Sequence, residues 1–376
     1  MPVFLICSTL LTLLVVTFSF RLWRALKKFT IYTSYVPQEP LPTVSVCIPA
    51  RNETHALAAC LERVLASDYE KLEIIVFDDS SADDTSILIR SFAHAGVRFV
   101  PGASLPDGWL GKNHALDVLA NEASGTYIMF LDVDTFIQPN SISQLVGYVT
   151  KENAEMVSVI PGRNDAWRAS VLFGHLRYFW QLILSTHERP SVAASLWMIK
   201  RSTLTGKVKG FEPFKASVEP EIHIAAMLDG SYKCLANNSF IGVTYEKKWL
   251  SQVETSRRLL YPAFGGTLLK GLSGLIILIV LNLPFGALLY GIFDWTIVQT
   301  MALWHTLAFM AIYAVYVSRF WPKGWWAGGL LWPLIILQEL ALYVRSLWGY
   351  ARRTVTWKGR LVNVAASKGD ALVIDK

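Results

Sequence analysis

Tyr127-Ile128-Met129-Phe130-Leu131-Asp132-Val133-Asp134-Thr135 is an apolar run that breaks into two carboxylates one residue apart. A continuous apolar run of this length is the pattern of a strand buried on both faces, as in a parallel sheet. Ligands of open α/β sheets sit at the carboxyl ends of such strands, so Asp132 and Asp134 stand where a site is expected. On an extended backbone the two side chains share a face, and a turn would bring them together. Either arrangement suits oxygen coordination of a hard divalent cation. The competing reading is a strand that ends in an Asp-rich turn.

A second acidic strand end lies upstream. Thr43-Val44-Ser45-Val46-Cys47-Ile48 is β-branched, ends at Pro49 and reads as a first strand. The segment up to Ala66 has helical spacing through Leu57, Cys60, Leu61, Val64 and Leu65. Leu72-Glu73-Ile74-Ile75-Val76-Phe77 is a second strand, running directly into Asp78-Asp79-Ser80-Ser81-Ala82-Asp83-Asp84-Thr85. A helix from about Thr85 to Ala95 and a strand from Val97 to Val100 continue the alternation, which predicts a parallel sheet with right-handed crossovers. Asp83 or Asp84 suffices as a helix cap and Ser80-Ser81 as a turn. Asp78 and Asp79 repeat the situation of Asp132 and Asp134, and two acidic strand ends in one sheet suggest one crevice. Between them, Gly108-Trp109-Leu110-Gly111-Lys112-Asn113-His114-Ala115-Leu116 is a glycine-flanked loop entering a helix. Lys112 near that N-terminus suits a phosphate, although neither GxxxxGK[ST] nor GxGxxG is present.

The remainder of the chain is written for a bilayer. Of 376 residues, 53% are hydrophobic. Val3 to Phe20 carries no charge and is followed at once by Arg21, Arg24, Lys27 and Lys28, the pattern of an anchor with a cytoplasmic basic flank. A cleaved signal peptide would place its basic residues first and a small-residue cleavage site afterwards. Gly271 to Ile292, Thr296 to Val317 and Trp325 to Leu347 are three further apolar segments of spanning length. Strict alternation of four spans would put the Arg352-Arg353 tail outside, against the positive-inside tendency, so one C-terminal segment is expected to be re-entrant or interfacial, the one interrupted at Asn282-Leu283-Pro284 being a candidate. The expected division is anchor 1–28, proline-rich linker 29–42, catalytic domain 43–265, membrane helices 266–348 and basic tail 349–376. The net charge of +6 fits an anionic leaflet or phosphate handling better than nucleic acid, because the basic residues flank apolar segments. Cys7, Cys47, Cys60 and Cys234 show no paired spacing, as expected of a reduced compartment.

Ile48 to Glu53 (IPARNE), Phe77 to Thr85 (FDDSSADDT), Gly108 to Leu116 (GWLGKNHAL) and Phe130 to Thr135 (FLDVDT) together resemble the successive motifs of the family 2 glycosyltransferases of GT-A fold. The anchor, the C-terminal apolar cluster and Val355-Thr356-Trp357-Lys358-Gly359-Arg360 resemble its membrane subgroup, which acts on carotenoid, hopanoid or sphingolipid acceptors. The resemblance implies an α/β catalytic domain with a mostly parallel sheet and inverting, non-processive transfer of one sugar from a nucleotide sugar, with UDP the expected nucleotide, to a membrane lipid. It implies that Pro49, Ala50, Arg51 and Glu53 wrap the nucleotide, that Asp79, with Asp78 beside it, reads the base, that Lys112 meets the diphosphate, and that Asp132 and Asp134 position Mn2+ or Mg2+ on it. The catalytic domain is then expected on the cytoplasmic face of a multi-pass protein.

The general base is where this chain departs from the family pattern of paired acids followed by a helix and a glycine. Here the stretch is Ser217-Val218-Glu219-Pro220-Glu221-Ile222-His223-Ile224, with Gly230 beyond. Counting back from Gly230 selects Glu219; counting from Gly210 selects Glu221 or His223. The alternative is that both glutamates decorate a helix N-terminus. Ala166 to His187, with Arg168, His175 and Arg177, is a buried helix or an acceptor-side helix at the membrane surface. Gln252 to Arg258 reads QVETSRR where the family has QxxRW, which argues against a processive synthase and leaves Arg257 or Arg258 for the diphosphate. A processive synthase or translocator, and a donor-binding protein without catalysis, are the competing classes.

Overall fold

The computed structural model describes residues 2–29, 34–163, 176–246, 249–291, 293 and 295–362. After the N-terminal helix α1 (Pro2–Lys28), the chain alternates β1 (Val44–Ala50), α2 (Leu57–Leu65), β2 (Leu72–Asp78), α3 (Thr85–Ser91), β3 (Val97–Pro101), α4 (Gly111–Glu122) and β4 (Tyr127–Leu131). All five residues of β4 are buried, as the uninterrupted apolar run requires. A two-residue β5 (Thr135–Phe136), α5 (Ser141–Lys151), β6 (Met156–Ile160), β7 (Gly162–Arg163), α6 (Leu176–Leu184), β8 (Leu196–Lys200), α7 (Pro220–Met227), β9 (Tyr232–Ala236) and β10 (Thr244–Tyr245) complete the domain.

The central sheet has the order β3-β2-β1-β4-β8-β6-β9. β1 pairs in parallel with β2 on one side and with β4 on the other, while β8 runs antiparallel to both β4 and β6. The sheet is therefore mostly parallel. The strand order reverses at β1, and a crevice opens where the loops after β1, β2 and β4 diverge. One buried layer, with Val46, Ile48, Leu61 and Leu145, covers one face; another, with Phe77, Leu116, Phe130, Trp197 and Ile222, covers the other. The linker does not hang free. The Tyr35 amide donates to Gln144 Oε1 at 2.7 Å and its ring meets Tyr148 edge-on.

Beyond the sheet lie α8 (Trp249–Ala263), α9 (Leu268–Tyr290), α10 (Ile297–Phe320), α11 (Trp325–Leu330) and α12 (Trp332–Ala351). Three described helices are long and apolar enough to cross a membrane: Ile6–Lys28, Leu268–Tyr290 and Ile297–Phe320. The expected interruption at Pro284 is not one. α9 runs through it, and Asn282 Nδ2 donates to the carbonyls of Leu278 and Ile336. The broken segment is the third, split at Leu331 into α11 and α12. Trp332 stacks on Phe309, halfway along α10, and Asn282 reaches Ile336, so α12 starts level with the middle of its neighbours. It ends beside the sheet domain, where Tyr343 Oη donates to Gly271 O, Ser346 Oγ to Arg257 O and Tyr350 Oη to Arg258 O. Of the about three C-terminal helices expected, two are long and apolar enough to span among the described residues, and the third is the pair α11 and α12.

Residues 349–362, expected to begin a basic tail, instead return to the sheet domain. The short strands β11 (Thr356–Trp357) and β12 (Arg360–Leu361) form a hairpin, which Arg257 Nη2 anchors through Thr354. Val355 and Val362 are buried against Tyr261 and Tyr350. Residues 363–376 of that tail, and Arg168 and His175, lie outside the described residues.

Candidate functional site

The crevice is built from the ends of β1, β2 and β4, the first turn of α4, and two segments that arrive from outside the sheet, α8 and the hairpin. After β4 the chain turns tightly: the Asp132 amide donates to Ser195 O at 2.9 Å and the Thr135 amide donates back to Asp132 O at 3.0 Å. Val133 is buried beneath, and Asp132 and Asp134 both line the crevice. Lys112, in the first turn of α4, puts Nζ 2.7 Å from Asp132 Oδ1. Both side chains are partly exposed, so this is a contact that a ligand can rearrange. Among the described residues no cluster of three or more His, Cys, Asp or Glu side chains could hold a metal alone. Two carboxylates with room beside them form the donor set that suits Mg2+ or Mn2+ shared with phosphate oxygens rather than enclosed by protein.

Pro49, Ala50, Arg51, Glu53 and Asp79 line the same crevice opposite the Asp132–Asp134 turn. The two aspartates after β2 part company. Asp78 turns into its own loop and accepts hydrogen bonds from the Ser81 amide, the Ser81 hydroxyl and the Ser86 hydroxyl. Asp79 faces the crevice, buried beside Arg51. Asp83, just before the N-cap Asp84 of α3, accepts from the Thr85 amide and hydroxyl and from the Thr54 hydroxyl, and that part of the acidic cluster needs no other role.

Glu219 and Glu221 are both buried, but their surroundings differ. Arg189 Nη2 lies 2.8 Å from Glu219 Oε2, Arg177 Nη2 lies 3.8 Å from Oε1, and Gln181 Nε2 donates to Oε1. Glu219 is thus an ion-paired carboxylate. Glu221 lines a cavity with Lys112, Asp132, Arg177, Arg258 and Arg360. Burial pushes its pKa up to about 7, with the Lys112 ammonium opposing and the Glu219 charge adding to the rise. His223 stacks on Phe214 as an ordinary packed ring.

Several participants lie in segments that the motifs include, but their partners come from distant parts of the chain. Asn113, next to Lys112, sends Nδ2 to the carbonyls of Phe214, Lys215 and Ser217, and the Leu110 amide donates to Lys215 O. These bonds tie the lysine-bearing turn of α4 to the segment that precedes the two glutamates. Arg258 lines the crevice and sits 5.2 Å from the ring centre of Trp357. Lys358 of the hairpin binds Glu53, and Arg360 Nη1 donates to both carboxylate oxygens of Asp79, at 2.9 and 2.8 Å. A further cavity joins Asp132, Asp134 and Glu219 to Trp180, Leu259, Leu260, Ala263 and Glu339, at the head of the membrane helices.

Residues 45–202 match the family described as Glycosyl transferase family 2. Among curated proteins it is 32% identical over 133 residues to the undecaprenyl-phosphate 4-deoxy-4-formamido-L-arabinose transferase of Serratia proteamaculans, covering 34% of this chain and 40% of the relative. It is 28% identical over 110 residues to the UDP-Glc:alpha-D-GlcNAc-diphosphoundecaprenol beta-1,3-glucosyltransferase WfgD of Escherichia coli, covering 29% of this chain and 42% of the relative. The chain thus spans about two fifths of the length of these relatives. Among solved structures, the mannosyltransferase PcManGT of Pyrobaculum calidifontis, in complex with GDP-Man and Mn2+, superposes with a TM-score of 0.59 at 19% identity. The match covers 91% of this chain and 98% of that one, which establishes the GT-A fold.

Proposed function

We propose that this protein transfers a single sugar from a nucleotide sugar to a lipid acceptor at the membrane surface, with inversion at the sugar carbon. One observation carries the reading. Asp132 and Asp134 line both the crevice of Arg51, Glu53, Asp79 and Lys112 and the cavity walled by Trp180, Leu259, Leu260 and Ala263 above the spanning helices. A water-borne donor reaches the pair from one side and a lipid headgroup from the other. The names of the curated relatives, which act on undecaprenyl-linked substrates, and the GDP-Man and Mn2+ of the structural neighbour support the same pairing of donor, lipid and divalent ion. The proposed division keeps 1–28 as anchor, 29–42 as linker and 43–265 as catalytic domain, and gives the Thr356–Leu361 hairpin to the donor side of the site.

In this mechanism Asp132 and Asp134 would hold Mn2+ or Mg2+ jointly with the donor diphosphate, and the ion would offset the negative charge that grows on the leaving group. Lys112 adds an ammonium beside the same oxygens. Glu221 is the group we assign as general base: its carboxylate is buried, free of an arginine bridge and poised near neutrality. It takes the proton of an acceptor hydroxyl as that oxygen bonds to the sugar carbon, and the bond to the diphosphate breaks with its electron pair leaving on phosphate. Glu219, ion-paired to Arg189 and Arg177, positions the cavity wall.

The test is transfer in lipid vesicles, with UDP- and GDP-sugars offered separately and total membrane lipid as the hydroxyl-bearing acceptor. Radiolabelled sugar in the lipid phase, abolished by a chelator, is expected. Label released only as free sugar would overturn lipid transfer, and full transfer in chelator would overturn the metal assignment.

A further inference from the structure

We infer that Glu339 of α12 selects the acceptor: its second carboxyl oxygen binds a hydroxyl of an uncharged, polyhydroxylated lipid headgroup, while a different hydroxyl of that headgroup attacks the donor. The inference rests on the lipid-acceptor reading above and names the class of headgroup.

A carboxyl is out of place where Glu339 stands. α12 packs among apolar helices, and an ionisable group in such a place is costly unless it serves a partner or a ligand. Glu339 is buried, yet among the described residues its one hydrogen bond comes from Trp180 Nε1 to Oε1, and no lysine, arginine or histidine pairs with it. Trp180 does not account for the acid, because an amide oxygen would accept the same N–H. Oε2 is left over. Glu339 lines the cavity that Asp132, Asp134 and Glu219 also line, so that oxygen belongs to the wall of the acceptor space.

The same cavity holds a second unfilled acceptor. Gln181 gives its Nε2 to Glu219 Oε1, and its own Oε1 is buried without a hydrogen-bond partner. Buried acceptors are costly until donors complete them, and a hydroxyl does so whichever protonation state Glu339 holds. A phosphate headgroup finds less here. Among the described residues the one cation lining this cavity is Arg177, whose Nη2 already lies 3.8 Å from Glu219 Oε1. An anion would meet the Glu339 carboxyl without a counter-cation, which selects against it. Depth separates the two hydroxyls. Ser346 Oγ donates to Arg257 O beside the sheet domain, and Glu339 lies two turns earlier in α12, about 10 Å farther from that end. The nucleophile and the group that Glu339 binds are then different hydroxyls of one headgroup.

The test is transfer by the full-length protein in vesicles doped with total membrane lipid that an anion exchanger has split into uncharged and anionic fractions. Label is expected in the uncharged fraction, on a lipid whose mass before and after acetylation counts at least two hydroxyls. Glu339→Gln keeps the volume and an oxygen for Trp180 but replaces Oε2 by an NH2. It is expected to raise the acceptor KM about tenfold, with the donor KM within about twofold of wild type. A Glu339→Gln variant with the wild-type acceptor KM would overturn the inference, because a glutamate that only anchors Trp180 tolerates glutamine. An equal rise in donor and acceptor KM would also overturn it, as a general disturbance of the fold. Label confined to the anionic fraction, or an acceptor with one hydroxyl, would overturn it and leave lipid transfer standing. Wild-type protein that labels neither fraction overturns the lipid-transfer reading and this inference with it.

Discussion

At the scale of single residues, Glu221 carries the sharpest consequence. Its carboxyl titrates near pH 7, well above the ordinary 4.5, because it is buried. The base must be ionised to accept a proton, so turnover is expected to rise with pH through about 7, and Glu221→Gln to lower kcat by about 10²–10⁴ with donor KM nearly unchanged. The sign for stability is the reverse. A carboxyl whose folded pKa is raised opposes folding once the unfolded group ionises, so its cost appears above about pH 4.5 and is complete above about 7. Glu221→Gln is therefore expected to raise the unfolding midpoint at pH 8 and to leave it unchanged at pH 4, as followed by thermal melts. If Glu219→Gln loses turnover in place of Glu221→Gln, the base is Glu219. The donor-side aspartates were legible because a carboxylate ending a buried strand contradicts its surroundings. The choice between Glu219 and Glu221 was not, since two residues on one turn differ only in which neighbours the fold brings, and Arg189 and Arg177 come from a separate segment. Asn113 was illegible for the same reason: its three carbonyl partners lie about a hundred residues away.

At the scale of elements, periodicity found the strands and crossovers because each is a local pattern. β1, β2, β3 and β4 lie where the apolar runs put them, with the acidic ends at the switch point. It misplaced the membrane break because hydropathy sees composition, not partners. Pro284 sits in a helix that continues, while Trp325 to Leu347, which carries Glu339 and Arg345, splits at Leu331 to pack against α9 and α10 from about their midpoints. A half-depth pair returns the chain to the side from which it entered. Cysteines placed singly at Arg353, at Lys151 in the sheet domain and at Tyr290 at the far end of α9, with Cys7 and Cys234 changed to Ala, test this in sealed vesicles. Arg353→Cys and Lys151→Cys are expected to react with an impermeant maleimide from the same side, and Tyr290→Cys from the other. Reaction of Arg353→Cys from the Tyr290 side would mean that α11 and α12 cross the bilayer.

At the scale of the whole molecule, the domain and the membrane helices form one packed body. Phe179 and Trp180 of α6 lie among Phe18, Phe309, Tyr313, Tyr316 and Trp332, and Trp180 Nε1 donates to Glu339 Oε1 at 2.8 Å. Leu13, Val16, Leu269, Ile276, Trp304 and Leu334 remain exposed, an apolar belt too extensive for water and suited to lipid. In the proposed function, a site between that belt and the Asp79 crevice takes its donor from solution and its acceptor from the bilayer. The hairpin, whose Val355 to Arg360 stretch was legible as a pattern but not as a place, joins the last helix to the crevice of Asp79 and Glu53. The most direct measurement of the central claim is the mass of the lipid product after purified protein, vesicles and a nucleotide sugar are incubated together, with Asp134→Ala alongside. The account predicts a lipid heavier by one sugar unit with the wild type and unmodified lipid with the variant. A ladder of sugar units, or the same product from Asp134→Ala, would contradict it.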